Sequence, residues 1–436
     1  MHLILGFGAT GASFLRYTRQ NNLPVIIVDT RDSPPGLTEF EDFNEEIYLG
    51  DFDLSAFPNI DKILVSPGVD FKAPILVEAK NKGIKIQTDI ELFVEDSSSL
   101  KFLVTGTNGK TSVVSMTKHV LSKLFPKDKV IYCGNIGNPV LDFINERNDL
   151  SIVEVSSFHL EHSVNIGGDL GVLLNIDQDH LDMHLNEEAY RRSKEKVLCN
   201  CSMGLSGVDE FITKELSKKE NIYFLKNLDR FEEQVSSFLD CGWPLHEKDN
   251  IKAVLGIVLA YVSIKNKKTY SDLVNRDSDL VNRALNALLS FNRLSHRFER
   301  LGIKRGVTYI NDSKSTNISS LLTAINSCHH LYGAKRTILI CGGEVKGQDF
   351  SNIDYSKSFP IKQAIVFGQD KKILEKALKK LGKSVLAEDL QDSINISQSI
   401  AKKGDVILLS PGCSSLDMFS NYEDRGRKFI EFSGFN

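Results

Sequence analysis

Positive charge is not in excess in this 436-residue sequence: 53 Lys and Arg face 57 Asp and Glu, giving a formal net charge of -4. Such a balance leaves no basic footprint, so nucleic acid is not expected as a partner. Cysteine is sparse and unpatterned. Cys199 and Cys201 lie close together, but the seven cysteines are otherwise scattered and no second pair at zinc spacing follows. That argues against a disulfide scaffold and for reduced thiols in a cytoplasmic protein. Long hydrophobic runs are missing as well. The longest apolar stretch, residues 253–264, is too short to span a bilayer and reads as a buried helix. No basic segment precedes an apolar run at the N-terminus, where His2-Leu3-Ile4-Leu5 runs straight into Gly6 and reads as a first strand, not a signal peptide. Membrane insertion is therefore not expected.

The composition, 41% hydrophobic and 25% charged, is that of a globular chain. Its length suggests two to three domains.

The most informative stretch is Thr105-Gly106-Thr107-Asn108-Gly109-Lys110-Thr111, directly after the apolar Phe102-Leu103-Val104. A strand that breaks into a Gly-rich turn and then a helix (from Ser112 to about Leu124) makes a phosphate cradle. Backbone amides turn inward, the helix N-terminus adds partial positive charge, Lys110 reaches the outer phosphates, and the Thr111 hydroxyl suits Mg²⁺. The common spacing would place a glycine at 104, where this chain has Val104. The motif still points to a nucleoside triphosphate.

Around it the chain alternates strand and helix signals. Leu3–Leu5, the turn Gly6-Phe7-Gly8-Ala9-Thr10-Gly11, a helix to about Gln20 and the strand Val25–Val28 ending at Asp29 form a dinucleotide-type fingerprint. Further strands are expected at Ile63–Val65, before Ser66-Pro67-Gly68, and at Ile84–Ile86. Residues 95–99 read as a linker. In the middle section, Ile152–Val155 and Gly171–Asn175 read as buried strands running into polar clusters. Residues 205–240 give no clear elements, and a helix starts near Asn250. Beyond Arg293, strands are expected at Thr308–Ile310, Thr337–Ile340, Ala364–Phe367 and Val406–Leu409. The expected fold is α/β with three domains. Residues 1–96 form a Rossmann-like domain, 97–292 a central P-loop ATPase-type domain with a mostly parallel sheet, and 293–436 a second Rossmann-like domain.

Polar constellations follow these strands. Glu154 sits in an apolar strand end, where a carboxylate is costly unless paired or bound to a cation, and it suits Mg²⁺ beside Thr111. Asn175 to His184 packs three aspartates and two histidines after a strand, with His180 and Asp182 suited to metal or acid–base roles. Lys194, in a helix beginning at Tyr190, reads on its own as a solvated lysine. Asn311–Asn317, Gly342–Lys346 and Ser410–Ser415 are further strand-end clusters, and Arg297 brings a permanent cation to the start of the third section. On these residues alone, three classes stay open. They are a ligase driven by phosphoryl transfer, a dinucleotide oxidoreductase that leaves Lys110 and Glu154 idle, and a nucleotide-binding scaffold without turnover.

Taken in order, Gly6–Gly11, Asp29-Thr30-Arg31, Ser66–Gly68, Thr105–Thr111, Gly134–Gly137, Glu154–Phe158, Asn175–Asp182, Tyr190–Lys194, His296–Glu299, Asn311–Asn317 and Ser410–Phe419 resemble the ATP-dependent Mur ligases of bacterial cell-wall synthesis over essentially the whole chain. Within that family the resemblance points to the D-glutamate-adding branch. The Ser313–Thr316 segment fits that branch, and the Asp-Asn-Pro-Arg motif of diaminopimelate-adding relatives is absent.

The resemblance implies a fold, substrates and a site. Thr10, Asp29, Thr30, Arg31, Ser66 and Gly68 would hold the uridine diphosphate of UDP-N-acetylmuramoyl-L-alanine, with Asn135, Ser156 and His180 on the rest of that substrate. Gly106, Thr107, Asn108, Gly109, Lys110, Thr111, Ser112, Asn250, Arg297 and Asp312 would surround ATP. Thr111 and Glu154 would hold one Mg²⁺, and His180 with Lys194, carbamylated, a second. Lys314, Thr316, Lys346, Ser415 and Tyr422 would form the D-glutamate pocket. Lys110, His180, Lys194 and Arg297 would carry the chemistry, in a cytoplasmic monomer. Three positions depart from the family pattern: Tyr422 replaces Phe, Met183 stands where Arg is frequent, and Glu247 where Asn is common.

Overall fold

The computed structural model describes residues 1–52, 55, 57, 59–70, 72–135, 138–163, 166–177, 186–213, 216–350 and 359–435. His180 and the rest of 178–185, with Met183, lie outside the described residues.

Three sheets organise the chain. The first contains β1 (His2–Leu5), β2 (Val25–Asp29), β3 (Glu46–Leu49), β4 (Lys62–Val65) and β5 (Lys85–Gln87), all parallel, in the order β3-β2-β1-β4-β5. The second contains β6 (Leu100–Thr105), β7 (Val130–Gly134), β8 (Leu150–Glu154), β9 (Leu170–Leu173), β10 (Met203–Ser206) and β11 (Ile222–Phe224), also parallel, in the order β11-β10-β9-β6-β8-β7. The third contains β12 (Glu299–Lys304), β13 (Val307–Asn311), β14 (Thr337–Gly342), β15 (Gln363–Phe367), β16 (Lys383–Leu386) and β17 (Val406–Leu409), in the order β12-β13-β17-β14-β15-β16. Only its edge strand β12 runs antiparallel, to β13. Strands β2, β8, β9, β14 and β17 are buried along their whole length, and β1 and β6 along all but their first residues, as apolar strands covered by helices on both faces must be.

In the first two sheets the chain leaves a central strand and returns to the other side, and in the third the last strand, β17, is inserted between β13 and β14, so in each a loop opens between two neighbouring strand ends. Those crevices are where ligands collect in open α/β sheets. Gly6–Gly11 follows β1 between β2 and β4, the phosphate loop follows β6 between β8 and β9, and residues 410–415 follow β17 between β13 and β14.

Two compact units result. One holds residues 1–176, 183–229 and 253–289 with the first two sheets, and the other holds 177–182, 230–252 and 290–436 with the third. In the first unit, one core runs from Ile4, Phe14 and Ile27 to Leu103, Val153 and Leu173, and another gathers Leu3, Leu5, Ile26 and Ile63. In the second, alternate residues of the same strands feed two cores. Ile310, Leu339, Val366 and Leu408 face one way, and Tyr309, Ile340, Phe367 and Leu409 the other.

Several expectations need correction. Glu95 and Asp96 are not linker but the last turn of the helix Asp89–Asp96, tied by Gln87 to Glu95 and by the Tyr17 hydroxyl to Asp96. Its start is fixed by a capping box between Thr88 and Glu91. The helix carrying Lys194 begins at Glu187, not Tyr190, because the Asn186 side chain caps it through the Ala189 amide. Residues 205–240 contain β11, only three residues long and half-buried, and the helix Glu232–Leu239, whose acidic first turn masks a buried face of Val235, Phe238 and Leu239. Strands β3, β7, β12 and β16 were not expected: β12 and β16 are edges whose exposed residues, Ile303, Val385 and Leu386 among them, give little periodic signal. No helix among the described residues is long and apolar enough to cross a membrane. The apolar stretch 253–264 lies inside the buried helix Glu247–Asn266.

Candidate active site

In the first crevice, Gly6 has φ +87°, and a Cβ at Gly11 would sit 2.3 Å from the Gly6 carbonyl, so this turn excludes side chains at its tightest point. Asp29 is buried at the end of β2. Its carboxylate accepts the Phe7 amide at 2.6 Å, the Arg31 amide at 2.9 Å and a two-pronged Arg31 guanidinium at 2.6 and 2.9 Å. Burial pushes this carboxyl up, but Arg31 and the two amides outweigh it and hold it below the usual carboxylate range. Ser66 donates to the Gly6 carbonyl at 2.7 Å from the far side of the turn. Thr10, half-exposed, and Thr30, Arg31 and Gly68, exposed, line the same strand ends.

In the second crevice, Gly109 (φ +83°) ends the phosphate loop and starts the helix Lys110–Leu124, whose first turn carries no acidic residue. Asn175, at the end of β9, staples the loop. Its carbonyl accepts the Thr107 amide at 3.1 Å, its side-chain oxygen the Asn108 amide at 2.8 Å, and its side-chain amide donates to Asn108. The Tyr190 hydroxyl adds a bond to the Thr107 hydroxyl at 2.9 Å. Two loop amides are thus committed to the protein, and the positive helix end begins at Gly109.

Thr111 Oγ1 donates to Glu154 Oε2 at 2.8 Å, and the Asn135 side-chain amide donates to Glu154 Oε1 at 3.0 Å. The strands carrying these groups can approach because residue 134 is glycine: a Cβ there would meet the Glu154 carbonyl at 2.4 Å. Both lysines at the loop, Lys110 from its helix end and Lys194 from the helix Glu187–Cys199, rest on carbonyls. Lys110 Nζ donates to Gly106 at 2.9 Å and Thr107 at 3.0 Å, and the buried Lys194 Nζ to Gly106 at 2.8 Å. Ser112 is buried in the first helical turn.

Ser156 caps the next helix, Ser157–His162. His159 Nδ1 accepts the Ser156 amide at 3.4 Å and lies 2.6 Å from its hydroxyl. That assigns the ring proton to Nε2, which sits 3.6 Å from Asp89 Oδ1 in a dry setting. Burial pulls His159 down to about 4 and pushes Asp89 up to about 7, so both are neutral near pH 6.

The second unit carries the remaining expected residues. Asp312 follows β13, where its carboxyl accepts the Phe298 amide at 2.9 Å and the Ser410 hydroxyl at 3.0 Å. Burial raises this carboxyl to about 7, against the pull of those two bonds and of nearby Arg297. Arg297 stands between His296 and Phe298, at φ +61° and +47°; a left-handed backbone at two bulky residues is strain placed beside a site. Lys346, exposed, repeats the feature at φ +48°. The Lys314 amide donates to the His296 carbonyl at 3.0 Å, and its ammonium lies 4.0 Å from the centre of the Tyr422 ring. Thr316 is half-buried, with its carbonyl accepting from Gln348, and Ser415 is buried. The Asn250 side chain donates to Glu247 at 2.8 Å, so the departure at 247 gives this asparagine a partner.

Thr111, Glu154, Asn135, Lys110 and Lys194 thus converge in one crevice, and Arg297, Asp312, Lys314, Ser415 and Tyr422 in another. Asn175 and Tyr190, which staple the loop, were not expected. A polar residue directly after a buried strand was the available signal for Asn175.

Three profiles match in chain order: the N-terminal domain of MurD-like Mur ligases over residues 1–88, the Mur ligase middle domain over 104–225, and the Mur ligase glutamate ligase domain over 296–413. A UDP-N-acetylmuramoylalanine--D-glutamate ligase of Buchnera aphidicola is 34% identical, covering 98% of this chain and 96% of its own. The chain belongs to the Mur ligase family. This Mur ligase is also similar to enzymes of the same name from Coxiella burnetii, at 32% identity over 98% and 97% of the two chains, and Legionella pneumophila, at 31% over 98% of each. Among solved structures it shares the fold of a UDP-N-acetylmuramate-alanine ligase from Thermotoga maritima (TM-score 0.55, 16% identity, 99% and 98% covered). It also shares that of a MurF ligase from the same organism in complex with ADP (TM-score 0.53, 15% identity, 99% and 93% covered).

Proposed function

We propose that this Mur ligase joins D-glutamate to UDP-N-acetylmuramoyl-L-alanine at the expense of ATP, a cytoplasmic step of peptidoglycan synthesis. The observation that carries the reading is the cluster at the phosphate loop. There a hydroxyl and a carboxylate lie 2.8 Å apart and two lysines share the Gly106 carbonyl, in a chain whose full-length relatives bear that ligase's name. The domains we assign are 1–96 for the nucleotide-sugar, 97–292 for ATP and 293–436 for the amino acid.

The donor set at Thr111 and Glu154 is hard oxygen, as Mg²⁺ prefers. These residues would hold one ion, and His180 with Lys194 a second. As an ammonium, Lys194 can only donate; carbamylated, it would offer carboxylate oxygens. Bound Mg²⁺ supplies charge neutralisation for phosphoryl transfer.

The chain's own residues do the rest. Thr10, Asp29, Thr30, Arg31, Ser66 and Gly68 seat the uridine diphosphate, and Asn135, Ser156 and His180 the muramoyl portion. Residues 106–112, with Asn250, Arg297 and Asp312, seat ATP. A carboxylate oxygen of the L-alanyl group attacks the γ-phosphorus, the bond to ADP breaks, and an acyl phosphate forms. Lys110 leaves its loop carbonyls for the phosphate oxygens, and Arg297 neutralises the transferring group. The D-glutamate nitrogen then attacks the acyl carbon, loses its proton, and phosphate departs. Lys314 and Lys346 pair the two carboxylates, with Thr316, Ser415 and Tyr422 completing the pocket. The enzyme acts as a monomer.

The test is phosphate release from ATP and Mg²⁺ with UDP-N-acetylmuramoyl-L-alanine, comparing D-glutamate with L-glutamate, L-lysine and meso-diaminopimelate. Release with D-glutamate alone, and a product heavier by one glutamate residue, is expected. Release with another amino acid moves the chain to a sister activity. Hydroxylamine added without D-glutamate should trap a hydroxamate, and none would remove the acyl phosphate.

A further inference from the structure

Arg425 is the largest fully buried side chain among the described residues, with 0% exposure. It lies one turn after Tyr422 on the helix Tyr422–Ser433. Its guanidinium lies within hydrogen-bond reach of five acceptors, three of which share the two N–H groups of Nη1. Nε reaches the Ser313 hydroxyl at 3.0 Å and Nη2 the Ser313 carbonyl at 2.9 Å. Nη1 reaches the carbonyls of Gly342 at 3.5 Å, Cys413 at 3.2 Å and Ser414 at 3.3 Å. None of the five is a carboxylate. A buried cation normally has an anion beside it, because desolvating an unpaired charge is expensive. Here Asp312 and Asp417 act only from a distance, and burial pulls the guanidinium down to about 10, which still leaves it charged at neutral pH.

The five acceptors sit where β13, β14 and β17 end. Ser313 immediately precedes Lys314, Ser414 immediately precedes Ser415, and Gly342 opens the loop to Lys346. The Ser313 hydroxyl that accepts from Arg425 also donates to the Tyr422 carbonyl at 2.8 Å. Glu344 and Ser414 exchange backbone bonds at 3.2 and 3.0 Å, so the second and third loops are already joined above the guanidinium. A planar fork with five donors suits such a cluster, and a lysine would not span it.

We propose that Arg425 is a positioning residue for the incoming amino acid: one guanidinium clamps the three loops that present Lys314, Lys346 and Ser415, together with Tyr422, and its unneutralised charge favours a dicarboxylate above them. The proposal rests on the D-glutamate reading given above. It makes the clamp specific to the second half-reaction, since acyl phosphate forms before the amino acid is needed.

The experiment uses the full chain and two rates: phosphate release in the presence of D-glutamate, and hydroxamate formation from ATP, UDP-N-acetylmuramoyl-L-alanine and hydroxylamine without it. For Arg425→Met the KM for D-glutamate should rise at least about ten-fold, the scale of losing hydrogen bonds to a charged group. Its KM values for ATP and the nucleotide-sugar, and its hydroxamate rate, should stay within about two-fold. Arg425→Lys, which keeps the charge but not the fork, should recover only part of the loss. Equal loss of both rates, or full recovery with Lys, overturns the clamp. If Arg425→Met does not fold, Ser313→Ala decides. It removes one bond to the guanidinium and one to Tyr422, and should raise the D-glutamate KM about three-fold with hydroxamate formation intact. No change overturns the proposal. A wild-type chain that forms hydroxamate but does not use D-glutamate instead defeats the reading beneath it.

Discussion

The phosphate loop and the third-sheet crevice use positive charge in opposite ways. At the phosphate loop, Lys110 and Lys194 sit on the Gly106 carbonyl, on flexible stems, with bonds that a phosphate oxygen can replace. In the third-sheet crevice, Arg425 is locked by five acceptors and cannot move without dismantling three strand ends. The first arrangement suits a charge that must travel with a transferring group. The second suits a charge that must stay still while a small substrate is selected. Sites that move charge should therefore lose turnover when altered, and sites that fix it should lose affinity and stability.

Lys110 is where the two regions should differ most on substitution. Lys110→Met should lower turnover by about a thousand-fold, the scale of losing a phosphate-clamping cation. The unfolding midpoint should barely move, because the lysine ends on loop carbonyls. A large drop in midpoint, seen by calorimetry, would mean the lysine is structural and the two regions are alike. Next in size is Glu154→Gln. The amide still accepts the Thr111 hydroxyl but has lost the negative charge, so the Mg²⁺ concentration for half-maximal activity should rise about ten-fold or more. An unchanged Mg²⁺ profile would remove Glu154 from the metal site.

Much of this was legible in the sequence because strand ends announce themselves. An apolar run followed by Gly, Ser, Asn or Asp marks both the sheet and its crevice, which is why Thr111, Glu154, Asp312 and Ser415 could be picked out. Arg425 and Tyr190 could not. Each acts through backbone carbonyls, amides or a hydroxyl far along the chain, and a helical arginine or tyrosine has the same sequence appearance whether buried or exposed. Lys194 shows the same limit from the other side. Its own sequence suggests a solvated lysine, yet the helix Glu187–Cys199 buries it against the phosphate loop. Edge strands β12 and β16 escaped because half their residues face water and carry no periodic pattern.

Titration gives a smaller test. In the first unit, Asp89 is raised to about 7 and His159 lowered to about 4. A raised carboxyl stabilises the fold at low pH and loses that contribution as pH rises through 7. A depressed histidine stabilises above about 6.5 and loses its contribution as pH falls toward 4. Between pH 4 and 6.5 the two slopes oppose, each at most about 1.4 kcal/mol per pH unit. Asp89→Asn should leave a midpoint that rises with pH over that window, and His159→Gln one that falls. The same sign in both variants would show that burial does not shift the two groups in opposite directions. In the second unit, Asp312, raised to about 7, has no histidine among the groups that shift it. Its contribution should fall as pH rises through 7, and Asp312→Asn should flatten that part of the curve.

The smallest expected effect lies at Tyr422, and it separates ring from hydroxyl. The Lys314 ammonium lies 4.0 Å from the ring centre, and the Tyr422 carbonyl, not its side chain, receives the Ser313 hydroxyl. Tyr422→Phe keeps both features, so its KM for D-glutamate should stay within about two-fold of wild type. Tyr422→Ala keeps the carbonyl but loses the face that holds the ammonium in place, and should raise that KM about three- to five-fold, as an exposed cation–π contact allows. The ordering Ala well above Phe would place the tyrosine with the fixed charges of the third-sheet crevice, where geometry is set before the substrate arrives. If Phe proved as damaging as Ala, the hydroxyl itself would be reading the amino acid, and the departure from phenylalanine at this position would be a change in recognition, not a tolerated addition.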